Sequence, residues 1–596
     1  MCLHAMKPLA RDVAGKGMRR TVDVTHELNP GLESVLTPER RSDEHDLIEE
    51  TARSFVERDV LVRMDALESG DVDTLKALYR KAGELGLIGV DLPEAYGGME
   101  LDPLSALLVA EALGETGGFG VSINIHSGVA LHPILYFGDE AQRMKYLPRL
   151  VSGEVVASYA LTEPDAGSDA LHGKANARLD ASRGCYVLNG QKQWISNARV
   201  AGVYVVFAQL AQHGMTAFLV DRDLEGVSVG KEERKVGIHA SPTASLILDE
   251  AAVPKAALLG AEGQGHRIAL SVLNLARHKM ALYALGQSRR ALRLAARYAK
   301  ERRQFGAPIA SFEMIREKLG WMAARYFVAR SAAYRTAGEL APGKRRALEC
   351  ALRSDLDPGE KVRLVAAALS SCISACSLNK VLATEVQGFV IDEAVQIHGG
   401  YGYMEDYEVA RMYRDARITR IFEGTNEINR LAVVRDVLLS RSREASACSD
   451  VEPALITAAV NRLPAGHLRT ALEAGAQLVA TMKSAFASVA EPALARWGAE
   501  LVHKQALVRR LADAHMWMYA LESALLRIAL AGDARGSARD LGAELALASA
   551  ADAMRFGFAP LREAARHLGV KVVEPDMPDE IGVFDAIAAY VLDQVR

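Results

Sequence analysis

The sequence predicts a mostly α-helical chain of several domains, with one β domain set in its middle. Three observations predict it. Half of the 596 residues are hydrophobic, 24% are charged and only 19 are proline, the composition of a folded, Ala/Leu-rich protein. Apolar residues recur at helical spacing over most of the length. Between about residues 155 and 255 that period gives way to short β-type runs separated by glycines and charged turns. A chain this long exceeds what one core supports, so three or four packed units are expected.

Taken in order, residues 1–42 read as a loose N-terminal tail, basic in places but without the apolar stretch of a signal peptide. Residues 43–154 form a helical domain, on the period of LIEETARSFVERDVL and LSALLVAEALGE, with a break at PEAYGG. The uncharged window from Gly117 to Gly138 approaches membrane-span length, yet it contains Asn124, His126, His132 and Pro133 and reads as protein interior. Residues 155–264 form the β domain, on the runs VVASYAL, YVLNG, VYVVFAQL, TAFLVD and ASLILDE. Helical periodicity returns over 265–440, with 341–361 read as an inserted excursion between two helices because turn residues stand at both ends. A small, polar stretch, 440–454, suits a linker. Residues 455–596 are an Ala-rich helical extension, in which KVVEPDMPDEIGVF is a loop before a last short helix.

Composition and missing motifs exclude several classes. Lys+Arg 71 against Asp+Glu 75 leaves −4 with no basic run, so the footprint of a nucleic-acid binder is missing. The cysteines at 2, 185, 350, 372, 376 and 448 make no CxxC and no disulfide framework, which suits a reducing, cytoplasmic setting and no metal site. Cys372 and Cys376 would share a helix face as small buried thiols. The chain has no GxxxxGK[ST], no strand-borne GxGxxG, no HExxH and no GxSxG.

Four segments have chemistry to offer. In Tyr159-Ala-Leu-Thr-Glu-Pro-Asp-Ala-Gly-Ser-Asp169 a strand runs into a turn whose hydroxyls and amides could cradle a polar ring edge or a phosphate; an ordinary decorated β-turn has the same look. In Gly190-Gln-Lys-Gln-Trp-Ile-Ser-Asn197, strand alternation puts Trp194 and Ser196 on one face, an aromatic wall beside a donor, or else a core indole with an incidental serine. In Glu301-Arg-Arg-Gln-Phe-Gly306, at a helix end, Arg302 or Arg303 could clamp phosphate, or simply answer the helix macrodipole. The densest runs from Gln396-Ile-His-Gly-Gly-Tyr-Gly-Tyr to Arg-Ile-Phe-Glu-Gly-Thr-Asn-Glu-Ile-Asn429. It sets Glu423 between apolar Ile421 and Phe422 and the small Gly424. Apolar surroundings raise a carboxylate's proton affinity, as a general base at neutral pH requires; a solvated helix-end glutamate is the alternative.

In this order the four segments resemble the acyl-CoA dehydrogenase family over residues 43–440, through the TEPxAGSD turn, the QxxGGxGY stretch and IFEGTNEI. The resemblance implies a helical domain, a β-barrel-like domain and a four-helix bundle, with FAD as cofactor. Glu423 then aligns with the base that removes the pro-R α-proton of an acyl-CoA thioester while the β-hydrogen leaves as hydride to flavin N5, giving the trans-2-enoyl-CoA. The thioester carbonyl is polarised by the Glu423 N–H and a ribityl hydroxyl, an oxyanion-hole device. Thr162 and Ser196 match residues that hydrogen-bond the flavin ring and Trp194 the aromatic at its edge, with Tyr159, Leu161, Gly167, Ser168 and Ile195 as further cofactor contacts. Arg302, Gln304 and Phe305 resemble the segment reaching the FAD of a neighbouring subunit, with Gln396, Gly399 and Gly400 as its partner loop; Thr425 and Glu427 contact FAD again. Arg277 resembles the arginine that positions base and substrate, joined on the substrate by Ser168, Asn274 and Gly424.

Two departures stand out, Glu313 where many relatives have Gln, and the 341–361 excursion. The extension is similar in size and helicity to that of very-long-chain acyl-CoA dehydrogenases, which implies fatty acid β-oxidation, a homodimer, reduction of an electron-transferring flavoprotein and peripheral membrane association through that domain. Gly120 and Asn124 fall on the helix flooring the acyl pocket, where a glycine leaves space, so medium-to-very-long acyl chains are expected. The rival readings are a non-catalytic assembly factor, against which Glu423 argues, and a flavin oxidase or monooxygenase on the same scaffold, against which the base together with Trp194 argues.

Overall fold

The structure, a computed structural model, describes residues 32–441, 453–531, 541–573, 575 and 583–594. The tail over 1–31, most of the 440–454 linker, most of the loop before the last helix, Cys2 and Cys448 lie outside the described residues. Packing divides the chain into two compact units, residues 43–283 with 340–371, and residues 32–42 with 284–339 and 372 onward.

The first unit opens with helices whose starts are written in the sequence. Asp71 accepts from the amides of Asp73 and Thr74 ahead of Val72–Glu84, Asp102 caps Pro103–Gly114, and Asp139 forms a capping box with Gln142 ahead of Glu140–Val151. The uncharged window is interior: Gly118–Asn124 and Leu131–Phe137 are joined by a π-helical turn, and all residues of the three but Asn124 and Ile125 are buried. His126 ties this turn to the sheet, pairing through Nε2 with the Leu150 carbonyl at 2.9 Å and through Nδ1 with the Ala157 amide at 3.0 Å. Gly120 does not leave the space expected of it. A Cβ there would meet the Leu113 carbonyl oxygen at 2.6 Å and the Tyr283 ring at 3.1 Å, so the glycine serves close helix packing.

The sheet comprises β1 (Val156–Ala160), β2 (Asn176–Asp180), β3 (Cys185–Ser196), β4 (Ala201–Leu210), β5 (Gly214–Asp221), β6 (Val227–Val229), β7 (Thr243–Pro254) and β8 (Leu258–Leu259). The order is β6-β7-β3-β2-β4-β5-β8, with β1 parallel to β4. Leu188, Tyr204, Val206, Phe218, Val220 and Leu246 lie in its core.

The 341–361 excursion is corrected. Helix Glu313–Leu352 runs through Pro342 and Gly343, and the chain breaks only before Asp357, which caps Pro358–Leu369. Tertiary contacts override the local turn signal: a Cβ on Gly343 would lie 2.7 Å from the Ala368 carbonyl oxygen, and Lys344 forms a half-buried ion pair with Asp91.

In the second unit Ile373–His398 is buried nearly all round and packs on Asn426–Arg441, which packs in turn on Gln505–Ala531 of the extension. Arg430 joins these elements through Asp513 at 2.6 Å and Glu385 at 2.9 Å. The expected loose tail is also corrected from residue 32 onward, because Arg527 of the extension pairs with Glu39 at 2.6 Å while Leu32, Val35 and Thr37 are buried. Among the described residues no single helix is long and apolar enough to cross a membrane.

Candidate functional site

In the first unit the 159–169 turn and the end of β3 are laced together. The Gln193 amide donates to the Thr162 carbonyl at 2.9 Å. Beneath them lies a pair the sequence did not announce: Lys192, 1% exposed, donates to Glu163 at 2.6 Å and to the Leu161 carbonyl at 3.2 Å. Glu163 also accepts from the amides of Lys174 and Ala175. Burial outweighs the carboxylate's attraction and lowers the Lys192 proton affinity from the ordinary lysine range.

Trp194 is 60% exposed and Ile195 beside it is buried, so Trp194 and Ser196 flank an inward residue as alternation required. The strand is nonetheless bulged there, with Trp194 at φ +55° and the β3–β7 register shifting between Lys192 and Ile195. Tyr159 packs on Phe207, and Gly167 and Ser168 stand exposed on the turn. Asn274 and Arg277, both buried, share one face of Gly265–Glu301; Asn274 donates to the Leu369 carbonyl at 2.9 Å.

In the second unit Arg302, Gln304, Gly399 and Gly400 line one cavity of about 430 Å³. Tyr298, Ile309, Ile397, His398, Tyr401 and Met404 complete its walls. The two arginines differ in where they point. Arg303 turns back onto the Gly306 carbonyl at 2.9 Å, whereas Arg302 lies over the Tyr401 ring at 5.4 Å. Nothing stands within 4 Å of a Cβ built on Gly399 or Gly400, so backbone and guanidinium face open space suited to a phosphate-bearing ligand. Phe305, 96% exposed, and Gln396, also exposed, are not among the lining residues.

Glu423 is half-buried, at φ +55°, followed by Gly424 at +81°. Thr425 caps the next helix, its hydroxyl accepting the Ile428 amide at 3.3 Å. Glu427 is exposed, and a bond to its own backbone amide holds its carboxyl below the usual range. Lys380 and Asn429 both donate to the Gly424 carbonyl, at 2.9 and 2.8 Å. Sequence reasoning passed over Lys380, although a lone lysine inside the apolar run SACSLNKVLATEV was a visible signal.

Trp194, Phe305 and Glu423 are three of the eight non-glycine residues with positive φ among the described residues, and Asn197, which ends the second motif, is a fourth. Such conformations persist where the surroundings over-determine them, and they gather at functional sites.

Residues 42–154, 158–251 and 263–355 with 360–438 match the models of the acyl-CoA dehydrogenase N-terminal, middle and C-terminal domains, respectively. A probable acyl-CoA dehydrogenase of Bacillus subtilis (strain 168) is 38% identical over 602 residues, 98% of this chain and 99% of its own. The mitochondrial very long-chain specific acyl-CoA dehydrogenase of Homo sapiens is 33% identical over 522 residues, 83% of this chain and 75% of its own. The crystal structure of an acyl-CoA dehydrogenase complexed with FAD from Bacillus anthracis aligns with a TM-score of 0.85 at 38% identity, covering 95% of this chain and 98% of that one. The chain belongs to the acyl-CoA dehydrogenase family.

Proposed function

We propose that the chain is an FAD-dependent oxidoreductase that dehydrogenates a fatty acyl-CoA thioester between Cα and Cβ, with Glu423 as the base. The observation that carries this is the left-handed turn at Glu423–Gly424, which holds a half-buried glutamate in a backbone conformation that glutamate rarely adopts. The residues fit the cofactor. Trp194 offers an exposed indole with the Thr162 and Ser196 hydroxyls near it in sequence and strand, and Tyr159, Leu161, Gly167, Ser168 and Ile195 lie on the same two segments. Arg302, Gln304, Gly399 and Gly400, which line the cavity, suit phosphate, and Phe305, Gln396, Thr425 and Glu427 are assigned to the cofactor on the family resemblance alone.

Bound FAD supplies the acceptor for the β-hydride. Glu423 takes the α-proton onto its carboxylate, and its backbone N–H donates to the thioester oxygen, where negative charge develops as the proton leaves. Arg277, Asn274, Ser168 and Gly424 orient the substrate. Likeness to the human very long-chain specific enzyme over 83% of this chain supports medium-to-very-long acyl chains; β-oxidation, a homodimer and electron delivery to an electron-transferring flavoprotein go with the family resemblance.

Glu423→Gln tests the assignment, because it keeps shape and removes the base. The variant should remain yellow while bleaching of its flavin by acyl-CoA slows by roughly a hundredfold or more. Undiminished bleaching would reject Glu423 as the base. Faster turnover of butyryl-CoA than of palmitoyl-CoA would reject the chain-length assignment.

A further inference from the structure

Lys380 sits in the middle of Ile373–His398 and is fully buried. Its ammonium donates to the Gly424 carbonyl and to the Asn426 side-chain oxygen, both at 2.9 Å. Asn426 is oriented for this, since its amide nitrogen donates to Thr384 and Glu385, at 3.2 Å each, and its oxygen is thereby turned toward the lysine. The Gly424 carbonyl therefore receives two donors, charged Lys380 and neutral Asn429. Hydrogen bonds from a charged donor are about twice as strong as neutral ones.

A buried ammonium is expensive to desolvate, and a methionine or leucine would fill this apolar helix position without that cost. The gain lies in what the ammonium grips. Residues 423 and 424 are consecutive left-handed residues, and the first of them carries the carboxylate. A strained turn with one peptide oxygen clamped from below has one orientation; unclamped, it relaxes toward ordinary φ and swings the Glu423 side chain and N–H together. We propose that Lys380 is a positioning residue for proton abstraction, fixing the Gly424 carbonyl and through it the turn that aims Glu423. This rests on the assignment of Glu423 as the base.

The experiment compares Lys380→Met, Lys380→Arg and Glu423→Gln in the full-length flavin-loaded enzyme. It follows flavin bleaching by rapid mixing with palmitoyl-CoA and with its α-dideuterated form. Lys380→Met should keep its flavin and bring KM within about threefold of the parent. Its reduction rate should fall roughly tenfold to a hundredfold, the cost of an ångström-scale misplacement, and its α-deuterium isotope effect should rise. Lys380→Arg, which keeps the cation, should lose less.

The isotope effect is a ratio, so it is independent of the folded fraction. If the methionine variant does not accumulate, Lys380→Gln, a neutral donor, takes its place. A reduction rate within twofold of the parent overturns the inference. So does a rate loss matched by flavin loss with the isotope effect unchanged, which would mark Lys380 as a packing residue alone. A fully active Glu423→Gln enzyme would instead overturn the base assignment on which the inference stands.

Discussion

Glu163 and Lys192 are 29 residues apart, and although each stands inside a motif, neither motif marks them as a pair. The TEPDAGSD and QWIS segments were legible because their residue types state their chemistry locally. The ion pair beneath them was not, because it exists only once β3 is laid beside the turn. Its consequence is measurable. Lys192→Met leaves a buried carboxylate without its cation and should cost about 3–5 kcal/mol of unfolding free energy. Adding Glu163→Gln, which still accepts from the Lys174 and Ala175 amides, should recover much of that. Urea unfolding of the two variants decides it, and equal stabilities would count against the pair as the turn's anchor. The backbone strain was equally hidden. Nothing in the letters Trp, Phe and Glu marks a positive φ, yet each stands in a segment chosen for its chemistry.

At the scale of elements, the hairpin Arg303–Gln304/Ala307–Pro308 separates the cavity-facing Arg302 from the self-bonded Arg303. Replacing Arg302 and Gln304 together by Ala should weaken flavin retention by about tenfold or more, the loss of a charge-assisted contact. The flavin-to-protein ratio after gel filtration measures it.

The helical segment 118–137 carries a pH dependence. Burial pushes the His126 imidazole from 6.5 down to about 4 and His132 to about 3. Below pH 6.5 the unfolded chain therefore takes up protons that the folded chain refuses. Their contribution to stability is complete above that pH and is lost progressively between 6.5 and about 4, at about 1.4 kcal/mol per pH unit for each histidine. The urea midpoint should be lower at pH 5 than at pH 7; an unchanged midpoint would mean the imidazoles are not held neutral. Helix starts were legible at this scale because caps are local. The run through Pro342 was not, since the contacts of Gly343 with Ala368 and of Lys344 with Asp91 are made far along the chain.

At the scale of the whole molecule, the sequence distinguished the extension by length and Ala-rich periodicity but not its manner of attachment. Arg335 lies between Glu339 at 3.0 Å and Glu522 at 3.3 Å, Tyr519 donates to Glu339, and Lys483 pairs with Glu522, all on buried or nearly buried surfaces. A chain ending at residue 441 would expose this charged seam with the apolar helix faces around it. We expect it to aggregate on expression instead of yielding a shortened flavoenzyme, and a soluble, yellow truncation would show that the extension is separable.

The bond between Glu39 and Arg527 spans 488 residues. At about 5–20 residues per second of synthesis, Glu39 waits roughly 25–100 s for its partner to leave the ribosome. The first unit has all its residues once position 371 is made, whereas the second is built from an early, a middle and a late stretch. Its early stretch therefore remains without its final neighbours for most of translation, and its middle stretch until the late one is made. The protein's demand for chaperones should fall in that interval, and a ribosome-stalled chain ending near residue 500 should be far more protease-sensitive over 284–339 and beyond 371 than over 43–283 and 340–371.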